Sequence, residues 1–403
     1  IEYPFIERFK QSVADNVVGS SGFVLQSQAK NSDGTDDDVA RDIIEKAYKD
    51  YLKSKNFTHD REMNGRLFYR LVSANIPIEG EVIIRKHIDA DGISWSLIDP
   101  VLLEHNYIGE YKGNPVVNGI ELNAENKRRV AYWIRKPSPP HRMNNSYHST
   151  QRVRVPAEEI IHLWLPEQVG QYRGMSKLKS VLWDTRMLKL FKKHASENAA
   201  TTAKNIATMT DEYGDWEEDT VIEHDGVEIL NLGSATLNQH NPTFPSASVE
   251  GFNRVMQREI AMGLSVCAAT MTGDMTGFNF SSSRSVISDE REVWKGYQEY
   301  LIEFLLKMQF EEWIDVALLT GELKGLSPSK IEEYKKAKFF GRRWPYINPI
   351  QDAKADKQKI ENGTSIESEI IAESGRDPKD FFANKIAEFK LKKKLAGGDL
   401  ELE

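Results

Sequence analysis

The sequence predicts an α+β fold that is mainly helical, and three observations carry the prediction. Short apolar runs bounded by tight turns fill the first 174 residues. Two long apolar stripes at three-and-four spacing follow, over 176–208 and from 286 to about 318. A glycine- and serine-rich stretch at 270–284, with little propensity for helix or strand, lies between them.

Phe5, Phe9 and Val13 stand at helical spacing, Asn16 to Gly22 forms a glycine-rich turn, and Phe23 to Gln26 a short strand. The acidic residues at 36–38 sit where a helix over 39–54 welcomes negative charge at its amino end, so they read as capping, not metal ligands. A further helix starts near residue 62. Glu81–Ile88 and Ile93–Ile98 flank Asp89-Ala-Asp-Gly92 as a hairpin. Asp89 and Asp91 echo a calcium loop, but the third ligand position and the closing glutamate are missing. Strands are predicted at 119–122 and 129–134, an exposed proline-rich loop at 137–150, and an apolar strand at 159–165.

Beyond Gly174 the texture turns helical. Ser176 is placed to cap a helix carrying Leu178, Val181, Leu182, Leu188, Phe191, Ala195, Ala199 and Ile206 on one face, roughly 50 Å long. Lys177, Lys179, Arg186, Lys189, Lys192, Lys193 and Lys204 make it basic. Segment 211–228 reverses the sign: it includes Asp215, Glu217, Glu218 and Asp219 and has no lysine or arginine, which reads as a solvated acidic loop with short strands. A second helix begins near Ser248 with Phe252, Val255, Met256 and Ile260 inward, and weakens at Gly263. Thr270 to Arg284 is expected to be a mobile loop. Val286, Val293, Trp294, Tyr297, Leu301, Phe304, Leu305, Met308, Trp313 and Leu318 then share one broad face of a helix over 40 Å long. A short helix, the segment 339–349 and a helical tail from 352 to about 394 complete the chain.

The 403 residues are 40% hydrophobic and 28% charged, with no apolar run near the eighteen or so a membrane span requires. Fifty-three basic against sixty-one acidic side chains give −8, which argues against tight, sequence-independent gripping of phosphate. The single cysteine, Cys267, excludes a disulfide framework and multi-cysteine metal sites, and reads as a packed thiol in a reducing compartment. The chain begins at Ile1 without a methionine or a positively charged, apolar leader, so it is expected to be an ordered portion of something longer. There is no phosphate-binding Gly-x-x-x-x-Gly-Lys-Ser/Thr loop, no Gly-x-Ser-x-Gly elbow and no His-Glu-x-x-His pair. His162, within an apolar strand, and His194, on a helix face, read as structural. No catalytic residue, metal or cofactor is predicted.

Four segments in order carry a family resemblance: Asp15-Asn-Val-Val-Gly-Ser-Ser-Gly22; Tyr172-Arg-Gly-Met-Ser-Lys-Leu178; Leu264 to Arg284 with its Thr-Gly-Asp and Asn-Phe-Ser-Ser runs; and Trp344-Pro-Tyr-Ile-Asn-Pro to Asp356, continued by Glu373 to Pro378. In these the sequence resembles the lambda-type portal proteins of tailed bacteriophages. The match departs from the commonest pattern at Phe280, where tyrosine is frequent, and at Met262-Gly-Leu-Ser265, where a proline-containing segment is usual. The resemblance implies a portal fold: a wing over 1–174, stem helices at 175–208 and 248–270, and a clip at 209–247. It further implies a tunnel loop at 271–285, a long wing helix and return over 286–350, and a helical crown at 351–403. It implies a ring of about twelve subunits around double-stranded DNA at one capsid vertex of the virion, assembled in the host cytoplasm. The implied partners are the terminase large subunit, which burns the ATP, capsid protein, scaffold and a head–tail connector. Thr276, Phe278, Asn279, Phe280, Ser281, Ser282, Ser283 and Arg284 would lie closest to DNA. Lys189, Lys192 and Lys193 would face a neighbouring subunit or the lumen, and Asp215, Glu217, Glu218 and Asp219 would serve docking at the clip.

Two other classes stay open on the residues alone. A hydrolase with dispersed carboxylates would need a pocket where they converge, and a helical scaffold would use the two stripes without any DNA channel.

Overall fold

The computed structural model describes residues 3–136, 151–203, 207–209, 221–224, 227–231, 247–276, 280–344, 349–373 and 378–395. The fold is mixed helix and sheet, with helix predominant. The chain divides into two compact units: Ile6–Lys177 with Gly277–Glu403, and Ile1–Phe5 with Leu178–Thr276.

The larger unit begins with α1 (Pro4–Val17), β1 (Val24–Ser27), α2 (Asp38–Lys53) and α3 (Gly65–Glu79). Asp37 caps α2 by accepting from the Ala40 amide at 3.1 Å, so the acidic run does the capping that its position predicts. Strands β2 (Glu81–Asp89) and β3 (Gly92–Ile98) pair as the expected hairpin, and Asp89 closes its turn by accepting from the Asp91 amide at 2.9 Å. A meander follows: β4 (Gly109–Tyr111), β5 (Asn114–Val117), β6 (Ile120–Leu122), β7 (Arg129–Arg135) and β8 (Arg152–Pro156). β9 (Ile160–Trp164) returns to β2, giving the order β3-β2-β9. Ile83, Leu103, Ile120, Tyr132, Ile134 and Val155 form an apolar cluster shared by the two sheets.

The smaller unit holds α4 (Leu182–Ala203), β10 (Ala207–Met209), β11 (Val221–His224), β12 (Val227–Asn231), α5 (Ala247–Gly263) and α6 (Ala268–Thr272). β12 pairs in parallel with β10 and antiparallel with β11. The first long helix is shorter than its stripe predicts. Lys177–Ser180 is a 3₁₀ turn, and 207–209 belongs to the sheet because its backbone pairs with Ile229–Asn231. Ser176 lies six residues ahead of α4 and donates its hydroxyl to the Ile78 carbonyl at 2.5 Å. α5 ends at Gly263, as its weakening predicts, but Phe252 and Val255, expected inward, are about half exposed in the chain.

The larger unit resumes with α7 (Phe280–Leu301), which passes through a π turn at Ile302–Leu306 into α8 (Lys307–Thr320). The 41 residues from 280 to 320 make a rod of roughly 60 Å. The helix therefore starts inside the expected loop. The π turn inserts one residue into the helical repeat and rotates what surrounds it. Phe304 and Met308, expected inward, are about half exposed, while Leu305, Leu306, Phe310 and Trp313 are buried. Trp313 and Phe310 each pack against α2: Tyr48 lies 5.1 Å from both rings. After α9 (Ile331–Tyr334), β13 (Ala337–Phe340) pairs antiparallel with β1 across more than 300 residues of sequence. The tail forms α10 (Pro349–Glu361), α11 (Glu367–Glu373) and α12 (Pro378–Leu395).

Among the described residues no helix is long and apolar enough to cross a membrane. The 137–150 loop, the acidic Asp215, Glu217, Glu218 and Asp219, Phe278, Asn279 and segment 345–348 lie outside the described residues.

Candidate functional site: two polar knots and a helix-to-loop junction

Each of the four sequence segments has a local physical account. In Tyr172 to Leu178 the organising group is Glu81, the first residue of β2, with its side chain only 4% exposed. Arg173 Nε donates to both Glu81 carboxylate oxygens at 2.8 and 2.9 Å, and the Gly174 amide donates at 2.9 Å. His162 Nε2 lies 3.0 Å from the same carboxylate, while its Nδ1 is 2.7 Å from Arg129 Nη1. A guanidinium can only donate, so Nδ1 accepts and Nε2 carries the proton: His162 is the neutral tautomer. Burial holds its pKa below the ordinary histidine value despite the glutamate. Burial alone would raise the Glu81 pKa, but the hydrogen bonds from His162 and Arg173 outweigh it and bring it to about 2. Arg129 completes the knot by donating to the Tyr172 carbonyl at 2.8 Å and stacking 3.8 Å from the Trp164 ring centroid.

The glycine in this segment is a requirement of contact. A Cβ on Gly174 would sit 1.9 Å from the Gly80 carbonyl oxygen, and one on Gly80 would sit 2.4 Å from the Met175 backbone. The two chain segments touch backbone to backbone, which only glycine allows.

The first and last segments meet in the second knot. Asp15 pairs with Arg70 of α3 at 2.5 Å, and Arg70 also donates to the Gly19 carbonyl at 3.1 Å. Trp344 Nε1 donates to Asn16 Oδ1 at 2.8 Å, and Arg342 donates to the Asp15 carbonyl. Gln298 of α7, buried, donates through Nε2 to the Val17 and Arg342 carbonyls, both at 3.1 Å. One side chain thereby ties together pieces of chain 281 and 44 residues away.

The third segment lies in the smaller unit as far as Thr276. Ser180 donates to the Gly263 carbonyl at 3.1 Å where α5 ends, and Phe191 packs 4.8 Å from Phe252 to join α4 and α5. Gly273 closes α6 in the left-handed region, φ +74°, with its amide on the Ala269 carbonyl at 2.8 Å. Asp274 then accepts from the Thr276 amide at 2.9 Å and from its hydroxyl, and lies 3.5 Å from Arg254 of α5. The Thr276 hydroxyl, foremost, holds the Asp274 carboxyl below the ordinary carboxylate range. Thr-Gly-Asp here is thus a helix stop followed by a side-chain-closed turn.

The sequence model of the family described as "Phage portal protein, lambda family" matches residues 2–298. The chain belongs to the lambda family of phage portal proteins. Its function is that of a portal, in the service of phage DNA packaging. The "Probable portal protein" of Halomonas phage phiHAP-1 is 27% identical over 403 residues, covering 95% of this chain and 77% of the relative. Chains from the neck of a native GTA particle computed with C12 symmetry, and from the neck of an empty GTA particle computed with C6 symmetry, cover 93% of this chain and 90% of their own. They are 12% identical, with TM-scores of 0.42 and 0.44. The family match stops short of Trp344, yet that residue bonds to Asn16 inside the matched region.

Among the residues that the portal resemblance singles out, Thr276 is in the Asp274 turn. Phe280, Ser281, Ser282 and Ser283 open α7 instead of continuing the loop, and Arg284 donates to Gln351 of α10 at 3.4 Å. Lys189 lies 4.9 Å from the Tyr3 ring centroid and Lys192 5.4 Å from that of Phe5, whereas Lys193 reaches Glu197 at 3.7 Å. Among the described residues no group of three or more His, Cys, Asp or Glu side chains is placed to hold a metal ion. The Glu81 network and Gln298 were not singled out in the sequence. The Arg-Gly pair at 173–174 was the available signal for the first.

Proposed function

We propose that about twelve copies of this chain close head to tail into a ring whose central channel passes double-stranded DNA at one vertex of the capsid. In this reading 1–174 and 286–350 form the wing, 175–208 and 248–270 the stem, 209–247 the clip, 271–285 the tunnel loop and 351–403 the crown. The terminase large subunit docks on the clip and supplies the ATP hydrolysis, and a head–tail connector replaces it after packaging. Capsid protein and scaffold surround the ring, which assembles in the host cytoplasm and stays in the virion. The chain itself does mechanical work and no bond-breaking chemistry.

Family membership over residues 2–298 carries this reading. Large apolar side chains left in solvent on α4 and α5 support the ring: Trp183 is 65% exposed, Val255 52% and Met262 74%. The net charge of −8 and the neutral Asn279 to Ser283 run support passage without tight binding, because every neutralised phosphate adds affinity that stalls translocation. Deleting 275–282 is expected to leave ring assembly intact and to impair DNA packaging or retention, read as packaged genome length in particles carrying the variant. Full-length packaging with normal retention would contradict the tunnel-loop assignment.

A further inference from the structure

The larger unit contains a cleft of about 640 Å³ between α7 and the chain that follows β13. Its α7 wall carries a basic helical stripe beside Glu292 and Glu299, and Lys295 of that stripe pairs with Glu292 at 2.6 Å. Arg284, Ser288, Arg291, Lys295 and Gln298 succeed one another at steps of four and three, so their side chains share one face. The opposite wall adds Arg342, Arg343 and, from α10, Lys359. Six cationic side chains thus line the cleft against three carboxylates, Glu292, Glu299 and Asp356, in a chain whose overall charge is −8. The carboxylate at the centre is already committed. Asp356, with its side chain 9% exposed, pairs with Arg343 at 2.5 Å and Lys359 at 3.3 Å and so fixes that wall. The Trp344 ring centroid lies 5.9 Å from the Arg291 guanidinium carbon and 6.0 Å from that of Arg342, at the outer edge of cation–π reach.

We propose that this cleft binds backbone phosphates of DNA. The inference deepens the portal reading and rests on it. Arg284 and Arg291 are seven residues apart, about 10 Å along the helix, and Lys295 adds about 6 Å, so the stripe addresses a run of phosphates, not one point charge. Guanidinium groups present paired donors to phosphate oxygens, and the fixed opposite wall keeps the slot open. Binding is a matter of a few contacts, steep in salt and weak at physiological ionic strength, compatible with a strand that must move.

The test uses the full chain in its assembled form, a fluorescent 20-base-pair duplex and anisotropy over a salt titration. Arg284→Gln with Arg291→Gln should weaken binding at low salt and lower the slope of log K against log salt by about 2, since each phosphate contact contributes about 0.9. Arg284→Lys with Arg291→Lys should keep the slope. Thermal midpoints and native mass of each variant separate loss of fold or ring from loss of contacts. Intact rings with an unchanged slope in the glutamine variant overturn the cleft and leave the portal reading standing, whereas wild-type chain that forms no ring sinks the portal reading itself. Binding of a poly-aspartate peptide with no measurable binding of duplex would also overturn the proposal and assign the cleft to an acidic protein segment.

Discussion

The Glu81 knot and the α4–α5 pair satisfy their side chains in opposite ways. Around Glu81 a buried carboxylate, a neutral histidine and two guanidinium groups meet one another's hydrogen-bonding needs within the chain. On α4 and α5 Phe191 meets Phe252, but Trp183, Val255 and Met262 remain in solvent. The difference teaches where this chain is complete. The knot belongs to the subunit and should be felt in folding; the exposed faces belong, on the portal reading, to the assembly and should be felt only there.

The largest expected effect therefore falls on the knot. Glu81→Gln leaves the partly buried Arg173 without its counter-charge and should cost about 3 kcal/mol in urea unfolding. Acid should act on the same group. The folded pKa of Glu81, about 2, lies below its ordinary value, so its stabilisation is full above roughly pH 4.5 and is lost as pH falls toward 2. His162, whose pKa is lowered, adds a loss of the same sign once pH drops below its unfolded value near 6.5. The urea midpoint of the wild-type chain should fall across this window, and that of Glu81→Gln should fall less. A parallel decline in both would remove Glu81 as the cause.

Next in size is Gly174→Ala, which forces a methyl against the Gly80 carbonyl and should cost about 1–3 kcal/mol through backbone displacement, measured by the same unfolding. The smallest effect on the isolated chain should come from Trp183→Ser with Val255→Ser. Exposed positions shift stability by about 0.5 kcal/mol or less, yet this pair should reduce assembly measured by native mass. A large loss of monomer stability from the pair would blur the contrast between the two regions.

The same contrast explains what the sequence made legible. The hairpin at 81–98, the acidic cap of α2 and the end of α5 at Gly263 follow from local rules of turn, charge and propensity, and they could be read directly. The start of α7 could not, because Ser281 to Ser283 favour a loop in isolation and are carried into helix by the stripe that begins just beyond them. Phe304 and Met308 were misplaced because a π turn shifts the helical phase without leaving a mark in composition. The Glu81 knot joins residues 33 to 93 positions apart, and no spacing rule links them. Its one local trace was Arg173-Gly174, where a charge that needs a buried partner stands beside a residue that permits backbone contact. The Arg284–Arg291–Lys295 stripe was written in the sequence at helical spacing, but the cleft it lines exists only once α10 is placed.

The most direct test of the central claim is the native mass of the purified full chain at micromolar concentration. The portal account predicts a closed particle of about twelve times the 46.0 kDa chain mass. A chain that stays at 46.0 kDa, folded and stable, would contradict it.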